Sequence, residues 1–153
     1  PWGRLVIMAG FFSKLDSDRI VGAIGEAEDR SSGEIRVHVT RRRPDDLEAA
    51  ARRRFDLLGM SNTAERNGVL FYIAPALRRF QILGDLGIHE RLGPDFWKGL
   101  AAEMEDHFRR EDFTEGIVRG VVRVGEVLAS HFPRSAHDRD ELSNVIDEEH
   151  EET

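Results

Sequence analysis

Apolar residues follow two rhythms along this chain, and the switches between them mark its elements. Ile20, Ile24 and Ala27 recur at helical spacing behind a capping residue at Asp16 or Ser17, and Ser31-Ser32-Gly33 stops that helix. Glu34-Ile35-Arg36-Val37-His38-Val39-Thr40 then alternates at period two, which predicts a strand. After Pro44, Asp45 or Asp46 caps a second helix with Leu47, Ala51, Phe55 and Leu58 inward and Gly59 past its end. Asn67-Gly68 opens Val69-Leu70-Phe71-Tyr72-Ile73-Ala74, a continuous apolar run that predicts a strand buried on both faces. Pro75-Ala76-Leu77 turns the chain into a third strand over Arg79–Leu83. Pro94 begins a helix facing Phe96, Trp97, Leu100, Met104 and Phe108 inward, and Thr114 caps another with Ile117, Val121, Val124, Leu128 and Phe132 inward. Pro133 closes that last helix, and no internal repeat is visible.

The order α-β-α-β-β-α-α implies an α/β fold with helices on both faces of a small mixed sheet. Strands one and two are joined by a helix, so they should run parallel through a right-handed crossover. Strands two and three are joined by about four residues, so they should be antiparallel. The predicted organisation is an N-terminal extension over residues 1–10, an α/β domain over 11–133 and an acidic, solvated tail over 134–153. Met8 is a candidate natural start, which would make residues 1–7 an extension.

Charge changes this picture at two places. Residues 30–80 carry eleven arginines against six acids, whereas residues 138–153 carry eight acids against Arg139, within a net charge of −7. A sharper reading than a solvated tail is that the acids lie over the arginines and mask them. There is no cysteine, which excludes disulfides, thiolate zinc sites and cysteine nucleophiles and fits a reducing, cytoplasmic location. No stretch of about 18 apolar residues occurs, so no membrane insertion is expected.

The predicted topology gathers candidate chemistry at one sheet edge. Strand three ends where strands one and two begin, so Gly33-Glu34, Glu65-Arg66-Asn67-Gly68 and Gly84-Asp85 should meet, with Glu28 and Glu90 nearby in sequence. Clustered oxygen ligands without His or Cys suit a hard cation, Ca²⁺ or Mg²⁺, and the candidate ligands are Glu34, Glu65, Asn67 and Asp85. The alternative for these acids is structural, as helix caps or partners of Arg36 and Arg66; Asp85 is then an acid that pins a turn.

Other chemistries lack their motifs. There is no Gly-x-Gly-x-x-Gly after a strand and no phosphate loop. His89-Glu90 lacks the second histidine of a helical zinc site, and Asp138-Arg139-Asp140 lacks the glycine and glutamate of a calcium-binding hand. Ser31, Ser32 and Ser61 have no nucleophile-elbow context. Arg41-Arg42-Arg43 and Arg52-Arg53-Arg54 are not interleaved with aromatics in an RNA-binding pattern, so nucleic acid is disfavoured.

Several segments together resemble the TPM domain family, which includes thylakoid-lumen and photosystem-repair phosphatase-like proteins. They are Ile24-Gly25-Glu26-Ala27-Glu28, Ser32-Gly33-Glu34-Ile35-Arg36-Val37, Leu58-Gly59-Met60 and Thr63-Ala64-Glu65-Arg66-Asn67-Gly68-Val69-Leu70. Gly84-Asp85-Leu86-Gly87-Ile88, Phe96-Trp97, Phe113-Thr114-Glu115-Gly116-Ile117 and His131-Phe132-Pro133 continue the match. Asp140-Glu141-Leu142-Ser143-Asn144 looks like the ending of the short bacterial subgroup. The resemblance implies a three-layer α/β/α sandwich, Ca²⁺ or Mg²⁺ binding by acidic loops and, for the plant members, acid phosphatase activity. No catalytic nucleophile is identifiable in this chain.

Three functions follow, in order of preference. The first is a divalent-cation-binding module that works through a partner protein. The second is a weak, metal-assisted acid phosphatase with Arg36 or Arg66 clamping the anion. The third is an anion or nucleic-acid binder masked by the acidic tail.

Overall fold

The computed structural model describes Trp2, residues 8–134 and the backbone strand at 146–148. Ten elements follow in chain order: α1 (Met8–Lys14), α2 (Ser17–Asp29), β1 (Glu34–Val39), α3 (Leu47–Leu57), β2 (Gly68–Ala74), β3 (Arg79–Gly84), α4 (Leu86–Leu92), α5 (Pro94–Arg109), α6 (Phe113–His131) and β4 (Ile146–Glu148). Short 3₁₀ turns stand at Met60–Asn62 and Pro75–Leu77.

The sheet order is β3-β2-β1-β4. β1 and β2 are parallel in the register Glu34 to Gly68 through Val39 to Ile73, joined by α3. β2 and β3 are antiparallel, with Val69 opposite Gly84 and Ala74 opposite Arg79. Arg78 closes the turn between them in the left-handed region, φ 53°.

Helices cover both faces, giving the three-layer α/β/α sandwich. On one face Ile35, Val37, Val39, Val69, Phe71 and Ile73 pack against α2, α5 and α6. Each such buried apolar side chain contributes about 1.5–3 kcal/mol. On the other face Leu47, Ala51 and Phe55 of α3, with Met60, cover Leu70, Tyr72, Ala74 and Leu83. Small residues bring the helices close: a Cβ on Gly125 of α6 would stand 2.6 Å from that of Ala27 in α2.

Alternation in β1 is usually the mark of a strand wet on one face, yet all six of its residues are buried. A central position between β2 and β4, under helices on both sides, removes the wet face. The polar set Glu34, Arg36, His38 and Thr40 is therefore interior, and the His38 ring stacks on Tyr72 at 5.1 Å.

Local signals placed several boundaries. Asp16 caps α2 by accepting from the Arg19 N–H, Asp46 caps α3 by accepting from the Ala49 N–H, and Pro94 opens α5. Four expectations need correction. Thr114 is not the cap of α6: the cap position is Asp112, and the Thr114 hydroxyl instead accepts from the Asp16 N–H at 2.9 Å and donates to the Lys14 carbonyl. Residues 86–92, left without an element in the predicted order α-β-α-β-β-α-α, form α4. Trp2, placed in an N-terminal extension, is 1% exposed and packs 4.7 Å from Phe108, ring to ring, because a large aromatic surface gains most by joining the apolar layer. Residues 146–148, expected in a solvated tail, pair in parallel with β1, Val37 opposite Ile146. The remaining parts of the predicted extension and tail, residues 1, 3–7, 135–145 and 149–153, lie outside the described residues, as does the masking of arginines by acids there.

Candidate functional site

The sheet edge where β1 and β2 begin and β3 ends holds the sequence-predicted residues. Parallel pairing sets Glu34 beside Gly68, and antiparallel pairing sets Gly84 beside Val69. The segments carrying Glu34, Glu65, Asn67 and Asp85 therefore share one edge. Glu34, Asn67 and Asp85 are buried, whereas Glu65 is exposed. Glu28 lies under the same edge and accepts the Ile35 N–H at 2.8 Å. Glu90 is carried outward on α4 and is exposed.

Two clusters form along that edge. In the first, Ser32 Oγ donates to Glu65 Oε1 at 2.8 Å, and Asn67 Nδ2 donates to Ser32 Oγ at 3.0 Å. A hydroxyl has one proton. Having given it to Glu65, Ser32 must accept from Asn67, which orients the amide and turns its carbonyl away. Asn67 Oδ1 is buried and accepts no hydrogen bond among the described residues. The Asn67 backbone is held by Thr63, whose Oγ1 accepts its N–H at 3.2 Å.

In the second cluster both oxygens of Asp85 are engaged. Arg66 Nε donates to its Oδ2 at 2.6 Å and Arg66 Nη2 to its Oδ1 at 2.9 Å, a bidentate pair. Asp85 Oδ1 also accepts the Leu86 N–H at 2.8 Å, so the residue is the N-cap of α4. Arg66 is in the left-handed region at φ 53°, which turns its side chain over the strand end. Asp85 raises the guanidinium pKa above its ordinary value, through the hydrogen bond first and charge second.

Glycines set this corner by steric room. Gly87 N–H donates to the Arg66 carbonyl at 2.8 Å. A Cβ at Gly87 would stand 2.7 Å from that same oxygen and closer still to the Glu65 carbonyl oxygen. Gly84 leaves room for Trp97, whose ring edge would be 2.7 Å from an added Cβ. The Gly-Asp-Leu-Gly run is thus a capped turn into α4 on which the 65–66 loop lies.

A cation fits the first cluster better than the second. Glu65 and Asn67 offer hard oxygens, and the amide carbonyl has no hydrogen bond among the described residues; Glu34 begins the adjoining strand, opposite Gly68. Asp85 has both oxygens committed to protein donors. Among the described residues no three acidic or histidine side chains group as a ready-made metal cage. The Ser32 hydroxyl meets a carboxylate and an amide rather than an imidazole, which is weak activation for a nucleophile. Ser32 and Thr63 were missed from sequence; the only signal was their place beside Gly33-Glu34 and Asn67-Gly68. Gly87 stands in the Gly-Asp-Leu-Gly run, but its steric role depends on the loop carbonyls of Glu65 and Arg66, which no local sequence signal places there.

A model of the TPM domain matches residues 5–127. No curated protein matches the chain. The solved structure of BA42 protein from the psychrophilic bacterium Bizionia argentinensis sp. nov. is 37% identical, covers 89% of this chain and 96% of its own, and superposes with a TM-score of 0.81. The N-terminal domain of cg2496 protein from Corynebacterium glutamicum is 16% identical over 80% of each chain, with a TM-score of 0.60, and shares the fold. Among the described residues no helix is long and apolar enough to cross a membrane.

Proposed function

The chain belongs to the TPM domain family, and from that premise we propose that it is a small binding module of a reducing, cytoplasmic compartment that takes Ca²⁺ or Mg²⁺ at its acidic sheet edge and acts through a partner protein. Glu34, Glu65 and Asn67 would hold the cation. Asp85 would join them only by exchanging Arg66 for it, a movement open to an arginine side chain that is 46% exposed. The observation that carries the reading is the buried Asn67 Oδ1, without a hydrogen bond among the described residues, on an amide linked through Ser32 to the Glu65 carboxylate. A buried carbonyl left without a partner costs about 1–3 kcal/mol, and ligation would recover it. With few protein oxygens, affinity falls in the weak range, about 10⁻⁴–10⁻³ M.

The test is an amide-shift NMR titration with CaCl₂ and then MgCl₂. Saturable shifts at Ser32–Glu34 and Glu65–Gly68 are expected, with Arg66→Gln binding more tightly as Asp85 is released. Shifts absent at millimolar cation, or confined to residues 138–153, would refute the site. Phosphomonoester turnover that requires the cation and is lost in Glu65→Gln would move the reading to a metal-assisted phosphatase.

A further inference from the structure

β3 is the outer strand at its side of the sheet, next to β2 alone among the described strands. Its edge opens into a groove of about 590 Å³ lined in part by Gln81, Ile82, Leu83 and Gly84, with Arg52 of α3, and Trp97 and Lys98 of α5, also lining it. Four consecutive residues of one strand line it, so the groove follows the strand's backbone rather than one face of the sheet. The ladder says which backbone groups it meets. Asp85 N–H donates to the Gly68 carbonyl at 2.9 Å, and hydrogen-bonded pairs alternate in an antiparallel ladder. Leu83 and Gln81 therefore direct their N–H and C=O at β2, and Ile82 and Gly84 direct theirs into the groove.

We propose that this edge accepts an extended acidic segment of a partner protein, which adds to the sheet as a strand beside β3. The chemistry of the lining selects the class. Arg66 neutralises Asp85, so the charge left on the lining is that of Arg52 and Lys98, which come from helices on opposite faces of the sheet. Side chains of an added strand alternate between faces. Two adjacent acidic residues would thus meet Arg52 on one side and Lys98 on the other, while the peptide backbone pairs with Ile82 and Gly84. Trp97 Nε1, buried and without a hydrogen bond among the described residues, belongs to the same wall. This inference rests on the partner half of the proposed function and not on the cation.

The test is an NMR titration, in EDTA, with the capped peptide Val-Val-Glu-Glu-Val-Val. Saturable amide shifts centred on Gln81–Gly84 and on the Trp97 indole are expected. Arg52→Glu and Lys98→Glu, both at exposed positions, should each weaken binding about fivefold or more. Methylating alternate peptide nitrogens on the bonding edge should abolish it, since strand addition needs those donors. Equal binding by a control peptide with Lys-Lys in place of Glu-Glu, by the methylated peptide, or at Arg41–Arg43 instead of β3 would overturn the proposal, as would no saturable shift at millimolar peptide. Binding at another surface would leave the partner reading standing without this edge, and loss of cation binding in its own titration would leave this result unchanged.

Discussion

Asn67 and Asp85 sit on one sheet edge, and both are buried, yet their oxygens meet opposite surroundings. Asp85 accepts two bonds from Arg66 and one from the Leu86 N–H. Asn67 gives its amide N–H to Ser32 and keeps a carbonyl oxygen without a hydrogen bond among the described residues. The first arrangement is finished and mechanical: it caps α4 and clamps the 65–66 loop. The second keeps an acceptor in reserve on an amide that Ser32 links to an exposed carboxylate. Residue type and burial alone do not separate structural acids from ligands; the inventory of donors around each oxygen does.

The comparison can be broken most severely at Gly87. Gly87→Ala drives a methyl into two loop carbonyls, so it should cost about 3 kcal/mol or more, read by urea denaturation. A loss under about 1 kcal/mol would mean the loop is free to move and the Asp85 corner is not rigid. Asp85→Ala removes a cap and a bidentate acceptor, for roughly 2–3 kcal/mol, and Asp85→Asn should recover about half of that because Asn also caps.

Arg66→Gln comes next. Its side chain is largely in solvent, which screens the ion pair, so the stability loss should be smaller than that of Asp85→Ala. The sign of its pH dependence is set by the raised pKa. The contribution is fully present below the unfolded-state value and is lost only as pH rises through the still higher folded value. Wild type and Arg66→Gln should therefore keep a constant difference in melts from neutral into mildly alkaline buffer; a gap that closes there would mean another group controls the corner. The smallest stability effect belongs to Glu65→Gln, within about 0.5 kcal/mol at an exposed site, together with loss of the cation-induced shifts. That pairing of a silent melt with lost binding is what the reserve acceptor predicts, and a large stability loss would place Glu65 with Asp85 as structural.

Much of the architecture was legible because its causes are local. Asp16 and Asp46 are caps with helical periodicity behind them, Pro94 cannot lie far inside a helix, and Val69–Ala74 has no polar position to expose. That the segments carrying Glu34, Asn67 and Asp85 reach one end of the sheet followed from topology, since a helix between strands forces parallel pairing and a short turn forces antiparallel pairing. Other features had no local cause. α4 is seven residues long, too short for periodicity to declare it, and its cap looked like a turn. β4 has three residues and exists by pairing with β1. Thr114 looked like a cap because a threonine before an apolar run usually is one; its hydroxyl was drawn off by the α1–α2 loop.

The sequence by itself determined which segments become helices and strands, how three strands are ordered and which acids share an edge. These follow from periodicity, chain connectivity and the obligation of backbone groups to pair. Only the tertiary structure decided that Asp85 is consumed by Arg66 and that Asn67 retains an oxygen. That outcome depends on a left-handed turn at Arg66, a proton donated by Ser32 and a missing side chain at Gly87, each a relation between residues distant in sequence.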